Sequence, residues 1–248
     1  MTYAYLGLEA YAFFEGAEVL ACALACVRCH ARTAREATID RIRLWASSLY
    51  DRRQDRRLGI RTDGLILPPD LCEGCFPYLP LAYRSLERLF ARIDVKPGQD
   101  VLIDYGSGLG RVPIFAAQRP LKRSIGVELS KVLVARAVLN AKAALPKLAC
   151  RQVEMVACDA RAYRVPDDAT LFYFFMPFDE SILAVALDNI KASLDAHPRA
   201  ARIVYVKPNS GPIFLESVAQ TRPWMRMSKP EPLSRSTQWV QADVGPES

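Results

Sequence analysis

Residues 101–110 read VLIDYGSGLG. An apolar run ends in an acid, Asp104, and passes into glycines at alternate positions, Gly106, Gly108 and Gly110, with Ser107 between the first two. Helix-like sequence, RVPIFAAQ, follows at 111–118. A buried strand that turns through glycines into a helix start brings backbone N–H groups against a ligand. Glycine is needed there because a Cβ would block close approach and forbid the φ values of the turn. The spacing is G-x-G-x-G rather than the G-x-G-x-x-G of a dinucleotide site, and Arg111 stands where that pattern wants its third glycine.

The chain downstream repeats the theme of an apolar run capped by an acid. SIGVEL (124–129) carries Glu128, 22 residues beyond Gly106, a span that fits one helix and a second parallel strand. An acid at that tip can accept hydrogen bonds from both hydroxyls of a ribose. A third run, 153–158, ends at Asp159 and Ala160, placed to meet an adenine amino group; Asp159 is equally placed to cap a helix in the polar stretch that begins there. A fourth, LFYFFMPF (171–178), ends in a proline loop, and a fifth, RIVYVKP (202–208), follows a helix-like segment at 180–196. A short helix is expected near 211–220 and a final antiparallel pair from WMRMS (224–228) and TQWVQADV (237–244). Acid-capped strands alternating with helices predict an α/β, doubly wound, mostly parallel sheet with a ligand across the strand ends.

IDYGSGLGR resembles the D-x-G-x-G-x-G signature of the class I, seven-stranded, Rossmann-like S-adenosylmethionine-dependent methyltransferases, with Glu128 and Asp159 as the later acids. The likeness covers about residues 58–244. Within that family the chain is similar to small bacterial methyltransferases with a GRV-type helix start and a GVELS second strand, which are related to the non-SET lysine methyltransferases; DRRLGIRTDGLI (55–66) resembles their lead-in segment. The resemblance implies S-adenosylmethionine as cofactor, held by Asp104, Gly106, Ser107, Gly108, Gly110, Glu128, Asp159 and Ala160. It also implies a methyl acceptor, either a lysine-type protein side chain or a small molecule. Where these relatives carry Asn-Pro-Phe, this chain has Met176-Pro177-Phe178, and a methionine cannot hold a substrate amine as an asparagine can. The acid before the first glycine and the glycine spacing favour S-adenosylmethionine over NAD. An NAD-dependent oxidoreductase and a non-catalytic cofactor-binding scaffold are the rival readings.

At 248 residues and 51% hydrophobic content, the chain suffices for one α/β domain and an extension. The expected division is a helical, Arg-rich N-terminal extension (1–57), a linker or cap with a helix (58–98), and the cofactor-binding domain (99–248). Helices are expected at 8–29, 34–53 and 81–93, and residues 59–80 are rich in turn-forming Gly and Pro. Charges break the apolar N-terminal stretch, so no spanning helix is expected, and its first basic residue is Arg28, too late for a secretory signal. The seven cysteines suit free thiols in the cytoplasm.

Residues 28–61 hold ten arginines, no lysine and four acids, which accounts for the whole net charge of +6. This segment is a solvated face, a surface for nucleic acid or anionic membrane, or a dock for an acidic partner; no aromatic interleaving marks it for base stacking. Like-charge pairs among Arg52, Arg53, Arg56 and Arg57 cost helix stability unless Asp51 and Asp55 offset them.

The remaining candidates each carry two readings. Tyr78 and Tyr83 either close over the methionine end of the cofactor or pack as ordinary aromatics. In the fourth-strand loop Met176 faces the reacting centre, Phe178 forms a wall of the acceptor pocket, and Asp179 either takes a proton or caps the Leu- and Ala-rich helix that follows. Cys26-x-x-Cys29 and Cys72-x-x-Cys75 suggest four zinc thiolates, but Cys22, Cys26 and Cys29 lie at helical spacing in an apolar stretch. No metal is therefore assigned.

Overall fold

The computed structural model describes residues 47–68, 72–209 and 214–245, all within a compact unit that begins at Ser47. The helices expected at 8–29 and over most of 34–53 lie outside the described residues, as do Cys22, Cys26 and Cys29. Residues 47–58 form helix α1. This helix belongs to the same unit as the sheet, so the unit starts inside the segment expected to be an extension.

Eight strands follow: β1 (Val101–Tyr105), β2 (Arg123–Glu128), β3 (Val153–Ala157), β4 (Leu171–Phe175), β5 (Ala201–Pro208), β6 (Met225–Met227), β7 (Glu231–Pro232) and β8 (Thr237–Val244). They form one sheet in the order β3-β2-β1-β4-β5-β8-β6. The first five pair in parallel, and β8 runs antiparallel between β5 and β6. The eighth strand, beyond the seven expected, is the two-residue β7 against β8. A run of two residues ending in Pro232 has no periodicity by which a sequence could announce it.

Among the described residues, five more α-helices follow: α2 (Tyr83–Phe90), α3 (Arg111–Ala116), α4 (Lys131–Ala144), α5 (Glu180–Ala196) and α6 (Phe214–Ala219). The sheet is buried on both faces, which is why β1 and β4 read as unbroken apolar runs. Alternate residues serve opposite cores: Val101, Ile103 and Tyr105 pack with Leu183 and Leu187 of α5, while Leu102 and Tyr173 pack with Leu86 of α2 and Ile114 of α3. Asp104, next on the second face after Leu102, is carried to the carboxyl end of β1 and buried there, 3% exposed.

The segment ahead of the sheet is tied down by one buried carboxylate. Asp55 accepts hydrogen bonds from the Thr62 amide (2.6 Å), the Thr62 hydroxyl (2.8 Å) and the Tyr83 hydroxyl (2.7 Å). Three charge-assisted bonds offset the cost of burying that carboxylate. Asp51 likewise turns inward, accepting from the Tyr83 amide and from Arg111. The two acids of α1 are therefore committed to the fold and do not offset its arginines. Those find other partners: Arg52 bonds Ser48, and Arg57 bonds Gln54 and Gln118. Tyr83 is a core residue, packed against Phe115 and beneath the Arg111 guanidinium, so it does not close over a ligand.

Candidate functional site

At the carboxyl ends of β1, β2 and β4 lies a cavity that opens in part to solvent. Asp104, Gly106, Ser107, Glu128, Asp159, Ala160, Tyr78, Met176 and Phe178 all line it. The topology thus gathers residues from five chain segments that the sequence placed together only by analogy of strand ends.

The glycine turn is built by contacts within the protein as much as by space for a ligand. Gly106, Gly108 and Gly110 all have positive φ (74°, 54° and 82°). A Cβ on Gly106 would lie 2.3 Å from Pro177 Cβ, and one on Gly108 2.0 Å from the Tyr78 ring. Gly110, at the start of α3, faces Met155, and neither Gly108 nor Gly110 lines the cavity. Glu128 pins the turn: its carboxylate accepts from the Gly108 amide and the Ser130 amide, both at 2.9 Å. Ser130 in turn caps α4.

The electrostatics are uneven. Asp104 has no side-chain hydrogen bond among the described residues, and burial together with the neighbouring Glu128 raises its pKa well above the usual carboxylate range. Asp159 is the opposite case. Its carboxylate takes a fork of bonds from the Arg161 side chain and one from the Arg161 amide, and that pairing lowers its pKa. No helix follows Asp159, so it is not a helix cap; it closes a local turn with Arg161, and the residue lines the cavity.

Six buried side-chain polar atoms lack a hydrogen-bond partner among the described residues: Ser107 Oγ, Arg111 Nη2, the hydroxyls of Tyr105, Tyr173 and Tyr205, and Trp239 Nε1. Three of them, on Ser107, Arg111 and Tyr173, belong to residues that line this cavity. Each such group costs about 1–3 kcal/mol when left unpaired. Arg111 and Tyr173 were not legible as site residues: the first looked like a failed glycine and the second like core.

The mouth is formed by the fourth-strand loop and a turn from the lead-in segment. Met176 has φ 36°, the one non-glycine at positive φ among the described residues. Asparagine adopts this region far more readily, so the backbone suits the residue that the similar methyltransferases carry there. Phe178 is buried against Phe174 and contributes to the wall. Cys72 and Cys75, expected as free thiols, are joined in a disulfide. Their turn is stitched to the loop: the Asp179 amide donates to Gly74 O (2.7 Å) and the Phe76 amide to Pro177 O (3.1 Å). A bonded pair offers no thiolates to zinc.

Asp179 is the N-cap of α5, accepting from the Ser181 and Ile182 amides and the Ser181 hydroxyl. Although the burial it has would raise its pKa, these bonds lower it overall, and it does not line the cavity. Of its two readings, the capping role is the one these bonds support, and they use the Oδ1 oxygen. Asp179→Asn, which keeps a capping oxygen, should retain activity, and Asp179→Ala should lower stability by about 1 kcal/mol. Turnover by the two variants and their melting temperatures check this; loss of turnover in Asp179→Asn alone would restore the proton-accepting role.

Comparison with protein-family models finds no match, and neither does comparison with curated proteins. Solved structures do match. An RNA methyltransferase from Salinibacter ruber in complex with S-adenosyl-L-homocysteine is 22% identical, over 68% of this chain and 96% of its own, with a TM-score of 0.47. The PH0226 protein from Pyrococcus horikoshii OT3 is 13% identical over 64% and 88%, with a TM-score of 0.52. A protein of the NADB-Rossmann superfamily from Streptococcus agalactiae is 16% identical over 68% and 71%, with a TM-score of 0.50. No described helix is long and apolar enough to cross a membrane. With its strand order, its antiparallel β8 and the two likenesses at TM-scores of 0.50 and 0.52, the chain has a Rossmann-like α/β fold.

Proposed function

We propose that this protein is an S-adenosylmethionine-dependent methyltransferase. The observation that carries the reading is the cavity itself. Acids from the tips of β1 and β2 flank a glycine turn, and three buried polar atoms without partners belong to residues around it. A ligand combining ribose hydroxyls, cationic centres and an adenine edge fits that donor and acceptor set. Glu128 would accept from the ribose hydroxyls, and the Asp159–Ala160 edge would meet the adenine. Asp104 would face the cationic end, where its carboxyl returns to the charged form. The bound cofactor supplies a methyl group made electrophilic by its sulfonium.

The protein's own part is positioning. Met176, Pro177 and Phe178 form a wall at the mouth, and Phe76 and Leu79, 38% and 56% exposed, extend an apolar rim. Such a wall excludes water and holds a nucleophile in line at about 3–3.5 Å from the methyl carbon. Asp179 caps its helix, and the wall residues Met176, Pro177 and Phe178 carry no basic group. The acceptor is therefore one that arrives already nucleophilic, such as a readily ionised small molecule on an apolar carrier; a lysine-type side chain would serve only if it entered in its neutral form. The exposed arginines of α1 are a docking surface for an anionic partner in the same reading.

Calorimetric titration with S-adenosylhomocysteine, with NAD as control, tests the proposal. Micromolar binding of the first and none of the second supports it, and turnover with an acceptor separates an enzyme from a binding module. Glu128→Ala should weaken S-adenosylhomocysteine at least about tenfold, about 1.4 kcal/mol, because both ribose hydroxyls lose their acceptor and the Gly108 amide loses its own. Unchanged affinity would remove Glu128 from the site.

A further inference from the structure

Arg111 is the only basic side chain among the described residues that line the cavity, whose other charged members are Asp104, Glu128 and Asp159. It is 2% exposed. Its guanidinium lies 4.6 Å above the Tyr83 ring. Nε donates to the Thr62 hydroxyl (2.8 Å), and Nη1 donates to Asp51 (2.7 Å) and Leu81 O (3.1 Å). These bonds use three of the five N–H groups of a guanidinium and fix its plane. Nη2 has no partner.

A fixed, buried guanidinium with one free nitrogen at an otherwise acidic cavity is matched to a ligand carrying a single carboxylate. We infer that Arg111 anchors the α-carboxylate of the amino-acid end of the cofactor through Nη2. This inference rests on the methyltransferase reading. The complementarity is specific: the ligand's cationic groups meet the acids, and its one anionic group meets the one cation. A lysine would not serve in the same way, since it has no planar fork to be held by Thr62, Asp51 and Leu81 while presenting a further donor. Asp51 and Thr62 are then positioning residues, and the lead-in segment acquires a role in binding through Arg111.

The test compares two ligands that differ only in that carboxylate: S-adenosylhomocysteine and its decarboxylated analogue. Both are titrated into the wild type and into Arg111→Gln. The Arg111→Gln change is also made together with Asp51→Asn, so that no buried carboxylate is left unpaired. The wild type should prefer the carboxylated ligand by about tenfold or more, as for one charge-assisted hydrogen bond. Both variants should lose that preference while still binding the decarboxylated ligand, which also shows that they are folded. A preference that survives in the variants overturns the assignment. So does a wild type that binds both ligands equally. A wild type that binds neither ligand overturns the methyltransferase reading itself, and the anchor with it.

Discussion

Gly108→Ala is expected to abolish measurable cofactor binding at micromolar ligand, a loss on the order of a hundredfold, and to destabilise the fold by about 2–4 kcal/mol. Two costs add. Gly108 has φ 54°, a left-handed conformation that a residue with a Cβ adopts at a penalty of about 1–2 kcal/mol. The added methyl would also sit 2.0 Å from Tyr78 Cδ2 and 2.2 Å from Cε2. Tyr78 cannot yield freely, because its hydroxyl donates to Thr62 O at 2.7 Å and its backbone pairs with Ile66. The collision is therefore with a ring held at both ends. Displacement of the turn would pull the Gly108 amide off Glu128 and so disturb the ribose acceptor as well. Thermal melting and S-adenosylhomocysteine titration check the two parts. A variant that melts like the wild type and binds normally would mean that Tyr78 swings away at little cost, and that the ring is a mobile cover.

The strands and the glycine turn were legible because they depend on local rules. An unbroken apolar run implies a strand buried on both faces, and an acid followed by alternate glycines implies a turn at its end. The cap role of Asp179 was legible for the same reason, as a short polar side chain ahead of a Leu- and Ala-rich run. Arg111 and Tyr173 were not, because what makes them notable is a missing partner, and partners are set by segments remote in the chain. Arg111 meets Asp51 and Thr62 across 60 and 49 residues. Tyr83 could not be decided for the same reason: which of its two readings holds depends on Asp55 and Arg111, neither of which a local pattern connects to it. The Cys72–Cys75 disulfide shows the limit of counting cysteines, since the two are held together by their own turn whatever the total.

Asp104→Asn should make the protein more stable and bind its cofactor less well, and the opposed signs are what identify a functional acid. Asp104 is buried beside Glu128, with no side-chain hydrogen bond among the described residues, and both burial and that neighbour push its pKa up. A carboxyl whose folded pKa lies above its unfolded value contributes its stability only at low pH. The contribution is whole below about pH 4, where the unfolded chain is also protonated, and is lost as pH rises through the folded pKa. Asparagine has no charge to lose. The two proteins should therefore melt together near pH 4 and diverge above it, with the variant ahead by about 1–2 kcal/mol at neutral pH, about 2–4 °C for each kcal/mol. Binding should move the other way. A cationic centre of the cofactor gains from a carboxylate and not from an amide, so S-adenosylhomocysteine should bind the variant on the order of 10–100-fold more weakly at neutral pH. The wild type's affinity should also climb with pH through the Asp104 transition, because deprotonation then no longer opposes binding, and the variant's should not follow. Melting curves and titrations between pH 4 and 8 read both effects. If the variant were less stable at neutral pH, the carboxylate would be a structural acceptor with a partner of its own; if its affinity were unchanged, the acid at the end of β1 would play no part in holding the cofactor.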